Sequence, residues 1–305
     1  MKKKYLFAFL SMILLSFAVI SCGGGDDDDD SGGGGNGSAP AGDLKAGQIE
    51  IKGYANSNSK KITFYATAKK LTIDWDDGQK PEEITPNGVE GKFSHEYENA
   101  TIFRTISINT EDLTGIRLVY TGSSYYEGGD IRELRLGNCP KLKEISGLGY
   151  ASNLTVFEIN KAESLEYLSI DDTDLTELNL NGCINLIELT CYGNKLTSLD
   201  VSKCSKLESI QCSSTGLTSL DLSKCTKLKS LYCDFNQLTS LDVSKCTKLE
   251  YLDCSDNQLS APALNSLFTG LPLGTTAHVW IDCRWNPGYY DCNKSIAENK
   301  GWSVY

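Results

Sequence analysis

Twelve cysteines have the widest chemical range of any residues in this 305-residue chain. Thiolates bind zinc, attack electrophiles and exchange disulfides. Their spacing here argues against a metal. Cys139, Cys183, Cys204, Cys225 and Cys246 form one series, and Cys191, Cys212, Cys233 and Cys254 a second; from Cys183 onward, successive members of each are 21 residues apart. No Cys-x-x-Cys pair occurs, which disfavours a structural zinc site. Cys283 extends the second series and Cys292 stands outside both. In-register parallel side chains seldom offer the dihedral a disulfide needs, so buried free thiols are expected in both columns. The spacing leaves open whether Cys292 pairs with Cys283 across the Trp285-Asn286-Pro287-Gly288 turn or fills a cap.

Other reactive groups are sparse. The two histidines, His95 and His278, each fall on an expected strand. No Gly-x-Ser-x-Gly elbow, phosphate loop, His-Glu-x-x-His pair or dinucleotide fingerprint in a strand-turn-helix setting supports catalysis. Asp74, Asp76 and Asp77 lack the alternate ligands and distal glutamate of an EF-hand, so Asp76-Asp77-Gly78 is expected to be a hairpin turn. These observations favour a binding protein over an enzyme, with no cofactor and no metal. A net charge of −11 also argues against nucleic acid, which is held by clustered Lys and Arg.

What positions the cysteines is an internal repeat. Leu175–Lys195, Leu196–Gly216, Leu217–Gln237 and Leu238–Gln258 are consecutive 21-residue units, exemplified by LTSLDVSKCTKLEYLDCSDNQ. Leu154–Asp174 keeps the frame with more divergence, and Ile131–Asn153 fits with two extra residues. Apolar residues recur at steps 0, 3, 5, 8, 11, 14 and 16 of each unit, and Asn is frequent at step 19. The Leu-x-Cys portion alternates with period two, as a short strand with one buried face does. An Asn where the chain turns can satisfy backbone groups of neighbouring coils. The other half, LTSLDVSKC, has no helical period and predicts an extended wall. One unit cannot bury both of its flanks, so only a stack is stable. At ~4.8 Å per coil, six units span roughly 25–30 Å.

The stretch Leu228, Leu231, Cys233, Asn236, Leu238 spells LxxLxCxxNxL and resembles the leucine-rich-repeat family, with Cys in place of one Leu. The resulting expectation is a mostly β, right-handed leucine-rich-repeat solenoid with few helices, spanning 126–258. Residues 44–125 are expected to form an N-terminal cap of strands: Gln48–Ile51, Lys61–Tyr65, Leu71–Trp75, Phe93–Tyr97 and Thr105–Ile108. Leu71–Gly78 (LTIDWDDG) with the later strands resembles an immunoglobulin-type sandwich of the polycystic-kidney-disease class, without the glycine usual between the aromatic residue and the Asp-Gly turn. Residues 259–305 form the expected C-terminal cap: a helix begun by Ser260 and Pro262, with Leu264, Leu267, Phe268 and Leu271 on one face, then a strand at 277–283 and a helical turn from Lys294 to Lys300 stopped by Gly301.

The beginning of the chain predicts its location. Lys2, Lys3 and Lys4 precede an apolar run to Ile20, too short for a spanning helix and typical of a secretory leader over 1–21. Val19-Ile20-Ser21-Cys22 resembles a lipobox, which implies acylation at Cys22 and membrane attachment. Residues 22–43, with five consecutive aspartates amid Gly and Ser, predict a solvated tether. With the repeats and the WNPG and IAENKGW tail, the chain resembles leucine-rich-repeat surface lipoproteins of the Bacteroides type. That resemblance implies an outer-membrane, cell-surface location.

The residues flanking the inward Leu and Cys should line one continuous outward sheet. Tyr167, Tyr192, Gln211, Tyr232, Phe235, Tyr251, Asp253 and Trp280 are the candidate partner-binding residues. The opposite wall repeats Thr-Ser-Asp-Ser-Lys almost unchanged. Variation together with aromatic side chains on one wall points to recognition of a protein, with a glycan as the alternative ligand. Rings stacked at one spot would favour a sugar, and scattered rings a protein.

Overall fold

A computed structural model describes residues 44–55, 60–118, 130–147, 153–274 and 278–305. The expected leader, Cys22 and the tether lie outside these residues. All of the described residues belong to one compact unit.

Seven strands precede the coils: β1 (Gln48–Tyr54), β2 (Lys61–Thr67), β3 (Leu71–Asp74), β4 (Glu82–Ile84), β5 (Glu90–Glu96), β6 (Phe103–Asn109) and β7 (Gly115–Leu118). Their alternating apolar residues, among them Ile49, Ile51, Ile62, Phe64, Ile73, Ile106 and Ile108, are buried in the common core. β4, β3, β6 and β1 form consecutive antiparallel pairs, as do β5, β2 and β7. Between β3 and β4 the chain turns through Asp76 (φ +58°) and Gly78 (φ +80°). The aspartates cap backbone amides there: Asp76 N donates to Asp74 Oδ1 at 3.0 Å and Gln79 N to Asp77 Oδ1 at 2.8 Å. Hairpin capping accounts for this acidic cluster.

Both sheets continue into the repeats across the boundary expected at 125/126. β8 (Asp130–Leu136) pairs antiparallel with β1, and β10 (Val156–Ile159) pairs parallel with β8. On the other side, β9 (Glu144–Ser146) lies parallel to β7, with Ile145 opposite Ile116. The parallel ladder then runs through β11 (Tyr167–Ser169), β12 (Glu188–Thr190), β13 (Ser209–Gln211), β14 (Ser230–Tyr232), β15 (Tyr251–Asp253), β16 (Trp280–Asp282) and β17 (Ser303–Val304).

Each coil follows the 21-residue arithmetic. In the unit beginning at Leu196, the side chains of Leu196, Leu199, Val201, Cys204, Leu207, Ile210 and Cys212 are all buried. This is a mostly β leucine-rich-repeat solenoid. Among the described residues, no helix lies between 153 and 258. The second wall is extended but carries no strand ladder beyond β10. It is held instead by tight turns, such as Cys204 N to Val201 O at 2.9 Å and Leu207 N to Cys204 O at 3.1 Å. A side-chain cap precedes each turn: Asp200, Asp221 and Asp242 each accept the amide two residues on, from Ser202, Ser223 and Ser244, at 2.8 Å. The repeated Asp-x-Ser is therefore turn chemistry.

Asparagines tie the coils together. Asn236 donates to Cys212 O of the preceding coil (2.9 Å) and Cys233 O of its own (3.1 Å), and accepts from Gly216 N and Leu217 N (both 2.9 Å). Asn257 and Asn286 repeat this, accepting from Leu238 N and Leu259 N at 2.9 Å. The described cysteines are all free. Cys292 directs its thiol to Tyr289 O at 3.2 Å and Cys283 to Tyr305 O at 3.4 Å, so the pairing left open by their spacing is not made.

Helix α1 (Ala261–Gly270) follows β15 and precedes the last two strands of the ladder. Ser260 caps it, accepting from Ala263 N, and proline occupies its first turn. Leu264, Leu267 and Phe268 are buried under it. Helix α2 (Ser295–Glu298) is followed by Gly301 at φ +89°, and Trp302 Nε1 donates to Pro272 O at 2.8 Å. The strand expected at 277–283 is shorter, Trp280–Asp282.

Candidate functional site

The solvent side of the parallel ladder is built from residues on either side of each buried Leu-x-Cys. In register, one column runs Tyr167, Glu188, Ser209, Ser230, Tyr251, Trp280. The next runs Ser169, Thr190, Gln211, Tyr232, Asp253, Asp282. Of the expected face residues, Tyr167, Gln211, Tyr232, Tyr251, Asp253 and Trp280 lie in these two columns, and Tyr192 lies two residues beyond β12, after the inward Cys191.

The face differs along its length. In the early coils it is knitted to itself. Asp171, buried, accepts on Oδ2 from Ser169 Oγ at 2.9 Å and Thr190 Oγ1 at 2.8 Å, and burial pushes its carboxyl up to about 6. Asp172 is raised by burial, with a hydrogen bond from Tyr192 opposing the rise. The middle coil presents Ser209, Gln211 and Ser213.

In the last three coils three rings converge. The centroid of Trp280 lies 6.0 Å from that of Tyr251 and 6.3 Å from that of Tyr232, with interplanar angles of 58° and 62°. The rings cluster at one spot but are tilted, so they offer edges and partial faces rather than a flat platform. Carboxylates surround them. Asp253 accepts from Ser255 N at 3.1 Å and Ser255 Oγ at 2.7 Å. Its carboxyl is pushed up to about 6, first by burial and then by Asp234. Asp234, held by Ser213 Oγ, is also raised by burial. Asp282, buried, is paired with Arg284, whose Nε reaches Oδ1 at 3.0 Å. Asp171, Ser255 and Asp282 stand beside the inward Leu and Cys positions but are tucked in, because short polar side chains beside a strand end fold back onto neighbouring hydroxyls, amides or Arg284.

Phe235 is displaced from its expected place. It sits one step beyond the strand-flanking positions, at a corner where each coil takes a left-handed backbone: Asp172 (+48°), Gly193 (+67°), Ser214 (+54°), Phe235 (+52°), Asp256 (+49°) and Trp285 (+63°). Five of these precede the ladder Asn or Thr directly in the units of the series, and Trp285 precedes Asn286. At Gly193 an added Cβ would lie 2.1 Å from Asp172 Oδ1, so a side chain there would make the Asp172 carboxylate move. Phe235 and Trp285 are 59% and 72% exposed. Trp285 and Asp256 were not among the expected face residues. The signal was available: Trp285 stands before Asn286 as Phe235 stands before Asn236.

Among the described residues, no group of His, Cys, Asp and Glu is arranged to hold a metal ion. Burial pushes the thiols of Cys183, Cys212, Cys225, Cys246 and Cys283 up to about 12, so they are poor nucleophiles. His95 Nε2 lies 3.3 Å from Asp77 Oδ2, between the Trp75 and Tyr97 rings.

A family model described as leucine-rich repeats in two copies matches residues 226–266, from within the Leu217–Gln237 unit through Leu238–Gln258 to the start of α1. Among solved structures, the functional domain of InlJ from Listeria monocytogenes, described as including a cysteine ladder, is similar at 24% identity and a TM-score of 0.41; the match covers 61% of this chain and 47% of that one. A leucine-rich-repeat protein from Leptospira interrogans is similar at 18% identity and a TM-score of 0.41, covering 55% and 49%. An internalin C2 from Listeria monocytogenes is similar at 19% identity and a TM-score of 0.37, covering 63% and 81%. This chain thus spans about half the length of the first two. No curated protein sequence matches it significantly.

Proposed function

We propose that this chain is a binding module that recognises a protein partner through the late coils of its parallel sheet. Leucine-rich-repeat solenoids commonly mediate protein–protein interaction, and the reading for this chain rests on one observation. Tyr232, Tyr251 and Trp280 converge on adjacent coils with Phe235 exposed beside them, while the opposite wall owes its uniformity to Asp-x-Ser turns. Partly buried aromatic clusters are the usual anchors of protein interfaces. The alternative ligand, a glycan, is favoured by convergence at one spot and disfavoured by the tilt between the rings.

In this reading the module is displayed on the cell surface, tethered to the outer membrane through acylated Cys22 and the acidic linker behind it. The support is the residue pattern alone. Tyr232, Phe235 and Tyr251 changed together to Ala should abolish capture of the partner protein in pull-downs from host or bacterial surface extracts. A glycan-array signal lost on the same triple change, with no protein captured, would replace protein by sugar. Metabolic labelling with a fatty-acid analogue should mark the chain and be lost in Cys22→Ala. Resistance of the protein to external protease on intact cells would remove the surface assignment.

A further inference from the structure

Left-handed backbone is routine for glycine and tolerated by Asp or Asn, but a bulky side chain there is an outlier. Phe235 and Trp285 occupy this conformation with their rings largely in solvent. Core burial cannot be what keeps them there. The corner is also fixed in place by the ladder: Phe235 N donates to Ser255 O at 3.1 Å and Asp256 N to Arg284 O at 3.0 Å. With coils ~4.8 Å apart, the Phe235 and Trp285 backbones stand about 10 Å from each other, with Asp256 between them.

The charge beside this corner is one-sided. Asp234, Asp253, Asp256 and Asp282 lie on three successive coils, and the cation among them, Arg284, is already paired with Asp282. An arriving cation would meet carboxylates and the aromatic rings of the neighbouring cluster together, both of which attract it. An acidic segment would be repelled.

We propose that Phe235, Asp256 and Trp285, backed by the Tyr232, Tyr251 and Trp280 rings, dock a cationic segment of a partner protein. An ammonium or guanidinium sits against Asp256, and its apolar neighbours lie on the two corner rings. This rests on the protein-recognition reading above and adds the chemistry of the partner. Crowding supports it: Asp234, Asp253 and Asp256 are all raised, first by burial and also by neighbouring carboxylates, with Arg284 opposing the rise at Asp256, and a bound cation relieves that strain.

The test uses the purified protein, immobilised, against three peptides of equal length in which leucine alternates with lysine, glutamate or serine. The lysine peptide should bind saturably and weaken with salt, the serine peptide should bind at least tenfold more weakly, and the glutamate peptide should not bind. Asp256→Asn and Trp285→Gly should each weaken the lysine peptide tenfold or more. Phe235→Gly should weaken it without lowering the thermal midpoint, because glycine already occupies the same step at Gly193. Equal binding of lysine and glutamate peptides, indifference to Asp256→Asn, or a lower midpoint in Phe235→Gly would each overturn the proposal. A partner protein captured through Tyr232 and Tyr251 but still captured by Asp256→Asn and Trp285→Gly would sink the cationic corner and leave the broader reading standing. Binding only to neutral glycans, lost in these variants, would sink both.

Discussion

Removing one rung of the asparagine ladder should uncouple adjacent coils, and Asn236→Ala is the cleanest case. The Asn236 amide is buried and spans two coils, donating to Cys212 O and Cys233 O and accepting from Gly216 N and Leu217 N. Alanine leaves the last two amides without their acceptor. Cys212 O keeps a second donor, Thr215 Oγ1 at 2.8 Å, so its loss is partial. At about 1–3 kcal/mol for each buried group left unpaired, two lost amide bonds give a cost of roughly 2–6 kcal/mol. At about 2–4 °C per kcal/mol for a domain of this size, the thermal midpoint should fall by roughly 4–24 °C. Asn236→Thr should cost about half as much, since Thr215 fills the equivalent step and still donates to Cys212 O. Asn236→Asp keeps the acceptor but turns a carboxylate toward two carbonyls, so it should be as harmful as alanine at pH 7 and recover on acidification. Urea unfolding followed by far-ultraviolet dichroism and by tryptophan fluorescence measures all three. A loss below about 0.5 kcal/mol in Asn236→Ala would mean that the amide is dispensable and that side-chain packing alone joins the coils.

Three further outcomes are expected. Asp171 and Asp253 have folded pKa values of about 6, above the unfolded carboxylate, so they penalise the fold above pH 6 and cease to do so as they protonate toward pH 4. Asp200, Asp221 and Asp242 are lowered by hydrogen bonds from Ser202, Ser223 and Ser244, so their stabilisation persists above the unfolded value and disappears as pH falls below it. The midpoint of thermal unfolding should therefore rise from pH 7 to about 5 and fall below about 4. Asp253→Asn should flatten the upper limb and stabilise the protein at pH 7 by on the order of 1–2 kcal/mol; an unchanged upper limb would refute the assignment. The column thiols are buried and their pKa values are raised by that burial, so a thiol reagent at pH 8 should label Cys292 slowly, the other described cysteines hardly at all, and all eleven once the chain is unfolded. Rapid native labelling of Cys212 or Cys233 would contradict the coil packing. Phe268→Ala, beneath α1, should cost about 3–5 kcal/mol and speed amide exchange in β15 and β16 before β12; uniform exchange across the coils would show that the cap does not act locally.

The coil was legible in the residues because burial in a stack repeats with the chain. Every apolar step of the unit at Leu196 lies inward, and Ser260, Pro262 and Gly301 marked helix boundaries through local backbone chemistry alone. The continuation of two strand systems into the coils was not legible. Pairing of Ile116 with Ile145, or Ile51 with Leu134, joins residues far apart in sequence and leaves no periodic trace.

The candidate face divides in the same way. Residue order alone determined which side chains flank the inward Leu and Cys, so Tyr232, Tyr251 and Trp280 were found. It did not show that Asp282 turns in to meet Arg284, nor that the three rings meet, since both depend on where neighbouring coils place their side chains. Phe235 lies between these cases. Its column holds Asp, Gly and Ser, residues that suit a left-handed turn, yet only the folded backbone makes an aromatic ring there an exception. A period reports burial, which each residue feels singly, whereas strain and convergence belong to several coils at once and exist only when they are stacked.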